Sequence, residues 1–205
     1  MTDGIHPGLF SKYGTEELLK QAGRPGESNV RERRFAGPNK AAAVLETPVA
    51  ADAAQVHKLI SACKPLDLNS TYAYLLLCHH FSDTCVVGRA GKDIVGFVSG
   101  YRLPARPGTF FVWQVAVHPE MRGARLGIQM LQHLMARESV AAVRSIETTV
   151  SPSNAASRRM FQRFAASVGA PLEEQMLFDR SAFGGEEHEE EVLLKIGPFA
   201  RTPLT

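Results

Sequence analysis

The chain has 205 residues, 44% of them hydrophobic and 21% charged, which supports one domain with a sizeable core and excludes disorder throughout. Lys and Arg number 23 against 21 Asp and Glu, a net charge of +2, so no nucleic acid or other dominant polyanionic partner is expected.

The first residues, MTDGIHPGLFSKYG, lack a basic start followed by an apolar stretch, so no secretory signal is expected. Residues 1–40 are rich in Gly and Pro and carry no sustained apolar period. Five basic residues against two glutamates between Arg24 and Lys40 would suit a basic arm, but the composition favours a flexible, solvated N-terminal extension. Residues 41–199 read as one domain, followed by a short C-terminal tail over 200–205.

Within the domain, Ala41–Glu46 is a first strand, and Asp52 precedes a helix with Val56, Leu59, Ile60 and Cys63 at helical spacing, stopped by Pro65. Asn69 or Ser70 caps a second helix carrying Tyr72, Leu75, Leu76 and Phe81. Its apolar run Tyr72–Cys78 ends at His79-His80, far short of the roughly 20 residues that span a bilayer, so no membrane partner is expected. Strands follow over Thr84–Arg89, Asp93–Tyr101 and Phe110–Val117, the first two joined by a short turn as an antiparallel hairpin. Ala124–Ala136 is an amphipathic helix with Ile128, Leu131, Leu134 and Met135 on one face. Ser145–Val150 is a strand, Ser151–Val168 a helix with Met160, Phe161, Phe164 and Val168 inward, and Gln175–Asp179 and Val192–Ile196 are the last strands. The fold class is α/β of mixed (α+β) character. Cys63, Cys78 and Cys85 are odd in number and lack metal-ligand spacing, which points to a reduced, cytoplasmic protein without a metal.

The most informative segment runs from Val115 through Val117 into His118-Pro119-Glu120-Met121-Arg122-Gly123-Ala124-Arg125-Leu126-Gly127. A buried strand leads into a basic, Gly-containing turn and directly into a helix, where free amides and the helix dipole favour a pyrophosphate. Arg122 and Arg125 add positive charge. The order strand, RGARLG, helix, strand, Asn154-containing helix resembles the GNAT acetyltransferases, whose Arg/Gln-x-x-Gly-x-Gly/Ala loop binds acetyl-CoA. The resemblance implies the GNAT fold, a central mixed, mostly antiparallel twisted sheet flanked by helices. It also implies acetyl-CoA as cosubstrate, held by Val115, Val117, Arg122, Gly123, Ala124, Arg125, Leu126, Gly127, Asn154, Ser157 and Phe161. Arg125 stands where the family has Gly; its loop amides remain able to donate provided residue 125 keeps a negative φ. Phe161 stands where many members carry a Tyr that protonates the leaving thiolate, so that proton comes from elsewhere or from water.

Further segments, Leu66-Asp67-Leu68-Asn69-Ser70-Thr71-Tyr72, Phe111-Val112-Trp113-Gln114-Val115, Thr148-Thr149-Val150, Phe183-Gly184-Gly185 and His188-Glu189-Glu190-Glu191, resemble the L-2,4-diaminobutyrate acetyltransferases of ectoine biosynthesis. The resemblance implies acetyl transfer from acetyl-CoA to the 4-amino group of L-2,4-diaminobutyrate, giving 4-acetamido-2-aminobutanoate and CoA, by a homodimer. The residues suit a cationic substrate: between Glu173 and Glu191 eight acidic residues face one fixed cation, Arg180. Asp67 is the expected anchor for a substrate ammonium, with Tyr72, Trp113, His188 and Glu191 around it. Trp113 offers a cation–π face or a carbonyl, and Arg102 is the candidate for the substrate carboxylate. Tyr74 is assigned a structural role.

An ammonium has no lone pair and its pKa lies near that of Lys, about 10.4, so the site must remove a proton. Glu191 is the expected acceptor, directly or through water, with His188 as the alternative and Tyr72 as a third polar group at the reacting centre. A backbone N–H near Val115 is the expected oxyanion donor. Two other readings stay open: a GNAT enzyme acting on another small amine, or a non-catalytic acyl-CoA-binding sensor, which Phe161 and Arg125 allow.

Overall fold

The structure, a computed structural model, describes residues 43–184 and 187–200. The expected extension over residues 1–40, the start of the first predicted strand at Ala41 and Ala42, Gly185 of the Phe183 motif, and residues 201–205 lie outside the described residues. Strands β1 (Val44–Glu46), β2 (Val86–Ala90), β3 (Asp93–Leu103), β4 (Arg106–Val117), β5 (Ser145–Val150), β6 (Leu172–Phe178) and β7 (Glu191–Ile196) form one sheet, ordered β1-β2-β3-β4-β5-β7-β6. Only β4 and β5 run parallel. The helices are α1 (Ala53–Ser61), α2 (Thr71–His80), α3 (Leu126–Met135) and α4 (Ala155–Ser167).

Adjacent strand residues point to opposite faces, and the sequence uses both. Phe97 and Ala116 pack with Val56 and Ile60 of α1 and Tyr74 of α2. Val98, Phe110 and Ile146 pack with Met130 and Leu134 of α3 and Phe161 and Phe164 of α4. The sheet is therefore a septum between two apolar clusters, which sets a helix pair on each side.

Helix α2 turns a different face inward from the one predicted. Tyr74, Leu77 and Cys78 are buried, whereas Tyr72 is 67% exposed and Leu75 and Phe81 are also exposed. Seven apolar residues in a row carry no period, so the face is chosen by the Tyr74 hydroxyl, which needs a partner and finds one at the Gln114 Oε1, 3.3 Å away. Ser70 caps the helix, its Oγ accepting from the Ala73 N–H at 3.2 Å. Asp52, expected only to start α1, is buried and pairs with Arg89 of β2 at 2.7 Å.

Two irregularities of β4 shape everything that follows. On the β3 side, Ser99 pairs with Gln114 and Gly100 with Val112, so Trp113 is the extra residue of a bulge. On the β5 side, pairing covers Thr109 with Ser145, Phe110 with Ile146 and Phe111 with Glu147, and ends there. Beyond it the Thr148 hydroxyl donates to the Val112 carbonyl at 3.0 Å, taking the place of a ladder bond as the strands part.

Gly100, opposite the bulge, has no room for a side chain, because a Cβ there would overlap the Phe110 ring and the Phe111 carbonyl oxygen. Gly100→Ala is expected to lower stability by about 1–3 kcal/mol through overpacking. Gly108→Ala, whose Cβ meets nothing nearer than 3.9 Å, should stay within about 0.5 kcal/mol. Urea unfolding of the two variants checks both.

Candidate active site

Where β4 and β5 separate, a cavity of about 340 Å³ opens along the end of β4. Val115, Ala116 and Val117 form one wall, the Arg122–Ile128 segment another, the start of α4 a third, and Cys63–Leu66 closes it. Its charged lining residues are Lys64, Arg122, Arg125, Arg159 and Arg163, all cationic. Helix α3 enters this cavity by its N-terminus without any side-chain cap, so its first amides are available to an anion. A Cβ on Gly127 would meet no protein atom nearer than 3.5 Å, so packing does not demand Gly there, but a ligand approaching from the cavity would. Five cations, a free helix end and an open glycine fit a long polyphosphate-bearing thioester such as acetyl-CoA.

Of the residues expected to hold that group, Val115, Val117, Arg122, Gly123, Arg125, Leu126, Gly127, Asn154 and Ser157 line the cavity. Ala124 and Phe161 do not. Ala124 is exposed in the turn, and Phe161 is 3% exposed in the core, where α4 needs an apolar residue one turn from Phe164. Asn154 caps α4, its Oδ1 accepting from the Ser157 N–H at 3.1 Å. Arg125 corrects a second expectation. Its φ is +60°, left-handed rather than negative, and among the described residues it is the only non-glycine with positive φ. The loop keeps the backbone shape that glycine would give and adds a guanidinium.

A group of opposite charge stands beyond Leu66. The His188 Nδ1 lies 2.6 Å from the Glu189 carbonyl, an acceptor only, so Nδ1 carries the proton and Nε2 is directed at the Asp67 carboxylate, 3.7 Å away. The ring stacks on Phe183 with centroids 4.0 Å apart. The bond to the Glu189 carbonyl raises the His188 pKa, assisted by Asp67 and Glu191. Glu191, at the first position of β7, has its pKa raised by burial, while the Thr149 hydroxyl donates to it and opposes that rise. Asp67, before α2, is thus brought together with His188 and Glu191, three residues apart at the entry to β7. Tyr72, in the first turn of α2, and Trp113, on the bulge, are exposed and form no hydrogen bond or ion pair with these three groups. Arg102 is exposed at the end of β3 and does not line the cavity.

Three comparisons bear on this arrangement. A model of the acetyltransferase (GNAT) family matches residues 53–166. The chain belongs to the GNAT acetyltransferase family. Among its GNAT relatives, an L-2,4-diaminobutyric acid acetyltransferase of Bordetella parapertussis is 55% identical over 160 residues, covering 78% of this chain and 86% of the relative. One of the same description from Methylotuvimicrobium alcaliphilum is 46% identical, covering 76% and 90%. The solved diaminobutyrate acetyltransferase EctA of Paenibacillus lautus, in complex with L-2,4-diaminobutyric acid and coenzyme A, is 43% identical with a TM-score of 0.75, covering 78% of this chain and 97% of that one.

One residue of this GNAT site escaped the sequence reading. Gln114 is buried, its Nε2 donating to the Asp67 carbonyl at 2.8 Å while its Oε1 accepts from Tyr74. The Tyr74 oxygen also accepts from the Asn69 N–H at 3.3 Å. Gln114 therefore fixes the loop that carries Asp67 against the strand that forms the cavity wall. A lone amide in the apolar run Phe110–Val117 was the available signal.

The left-handed Arg125 stores strain of about 1–2 kcal/mol that glycine would not. Arg125→Gly is expected to raise unfolding stability by about 1 kcal/mol, read by urea titration; no gain, or a loss, would show that the side chain's own contacts outweigh the strain.

Proposed function

We propose that the chain transfers the acetyl group of acetyl-CoA to the 4-amino group of L-2,4-diaminobutyrate, yielding 4-acetamido-2-aminobutanoate and CoA for ectoine biosynthesis. The observation that carries the reading is the division of charge along one cleft: cations line the cavity, and Asp67, Glu191 and His188 stand just past its Leu66 edge. Acetyl-CoA supplies the activated acyl group. The helix α3 amides with Arg122 and Arg125 hold its phosphates, and the Val115–Val117 strand lies along its thioester arm. Asp67 takes an ammonium of the diamino acid, with the faces of Trp113 and Tyr72 beside it.

Glu191 removes the proton from the attacking amine. Its burial raises its basicity, whereas the His188 Nδ1 already donates to a carbonyl and its Nε2 faces Asp67, which suits it to orient the acidic pair. Charge developing on the thioester oxygen falls to a backbone N–H near Val115, on the part of β4 that β5 has left. Phe161 lies in the core, so the departing thiolate takes its proton from water. The catalytic domain spans residues 41–199. The protein acts in the cytoplasm as a homodimer, for which edge strand β6 offers exposed Met176, Leu177 and Phe178.

Purified protein given acetyl-CoA and a panel of 2,4-diaminobutyrate, 2,3-diaminopropionate, ornithine, lysine and spermidine should release CoA fastest with 2,4-diaminobutyrate, with NMR placing the acetyl on N4. Turnover of another amine alone would discard the substrate; binding of acetyl-CoA without turnover would support a sensor. Glu191→Gln should lower kcat by about 10²–10⁴-fold. The same variant should gain stability at pH 7. With its pKa raised on folding, Glu191 binds its proton more tightly in the native state, so its contribution is full below the unfolded pKa and falls as pH rises through the folded one. Thermal unfolding at pH 5 and pH 7 should show the gain growing with pH.

A further inference from the structure

Glu189 lies between His188 and Glu191 in sequence; its carbonyl accepts from the His188 ring, but its carboxylate is bonded elsewhere. Its Oε2 accepts from the Ser153 N–H at 3.0 Å. Ser153 belongs to the turn that leaves β5 and starts α4, immediately before the capping Asn154, and Asn154, Ala156 and Ser157 line the cationic cavity. Val150 of β5 pairs with Val192 of β7, so the two turns emerge side by side from the sheet, and the Glu189 carboxylate joins them beyond the last ladder pair. The bond is charge-assisted, and the Ser153 hydroxyl together with this N–H holds the Glu189 carboxyl below its ordinary pKa.

The segment preceding β7 is otherwise lightly held. Among the described residues, the Phe183–His188 stack, the His188–Asp67 contact and the exposed Arg180–Glu190 pair at 3.2 Å are its other side-chain ties to residues outside its own turns. A segment with few buried contacts samples local opening easily, so one further tie at its end changes how well His188 and Glu191 are placed. The start of α4 is one of the segments that CoA bound in the cavity would steady.

We propose that the Glu189–Ser153 hydrogen bond couples the two halves of the site: CoA bound against the start of α4 orders the 187–191 segment through Glu189 and so tightens the amine site. Glu189 is a positioning residue here, touching neither substrate. The inference rests on the acetyl-transfer reading above and adds an energetic link between its two ligands. That link is reciprocal, so the amine tightens CoA by the same factor.

The test is isothermal titration of 2,4-diaminobutyrate into the full-length protein, with and without saturating CoA, for the wild type, Glu189→Ala and Glu189→Gln. In the wild type, CoA should lower the amine Kd by about fivefold or more, within the usual range of site-to-site coupling. In Glu189→Ala that ratio should fall to near one while the Kd of CoA alone changes less than about twofold. Glu189→Gln, which keeps an acceptor oxygen, should retain most of the coupling, an outcome that a general loss of folding would not produce. A wild-type ratio of one, or an Ala variant that couples as well as the wild type, would overturn the proposal. If the wild type acetylates another amine and not 2,4-diaminobutyrate, the substrate reading fails, and the same ratios measured with that amine decide the coupling.

Discussion

The parallel contact between β4 and β5 lasts for three residue pairs and then stops, and the site depends on that interruption. Two strands that separate expose backbone groups which a continued ladder would have consumed, and leave a cleft with rigid walls. The bulge at Trp113 turns β4 away on one side, and the Thr148 hydroxyl satisfies Val112 on the other. The buried Glu147, the last residue of β5 paired with β4, receives both guanidinium nitrogens of Arg106, at 2.6 and 2.8 Å. That bidentate pair ties the base of β4 to β5 just where the opening begins.

The cleft is filled by charge of two signs from opposite ends. Arg122 and Arg125 arrive on the turn before α3, and Arg159 and Arg163 come four residues apart on α4, so one helix face presents both. The acidic side is assembled from longer range: Asp67 from the turn before α2, His188 from the segment before β7, and Glu191 from β7 itself. Gln114 connects these halves, since its backbone belongs to the cavity strand and its side chain holds the Asp67 turn. A buried amide with both ends satisfied costs little and removes freedom from an otherwise exposed loop.

Much of this was legible in the sequence for physical reasons that can be named. Ser145–Val150 is legible because its β-branched run is bounded by Arg144 on one side and by Ser151-Pro152 on the other. The loop into α3 announced itself through glycine, arginine and a following amphipathic period. Helix α2 did not, because its apolar run is continuous and its orientation is set by one hydroxyl bond to a distant strand. Arg125 departs from the expected negative φ because side-chain identity is a weak guide to φ where a turn dictates the backbone; here residue 125 is the left-handed junction between the turn over 119–124 and α3. Ala124 and Phe161 were carried by position in a motif, and only packing shows that one faces solvent and the other the core. The bulge itself left no trace in the sequence, since an extra residue in one strand is defined by its neighbour's register.

The proposed reaction requires that one cleft hold thioester and amine at the same time and that the acetyl group pass directly between them. Initial rates measured against 2,4-diaminobutyrate at several fixed acetyl-CoA concentrations test it most directly. Intersecting double-reciprocal lines are predicted, because both substrates must be present before the acetyl group moves. Parallel lines, the pattern of an acyl-enzyme released and reloaded in turn, would contradict the account and redirect attention to a nucleophile on the protein.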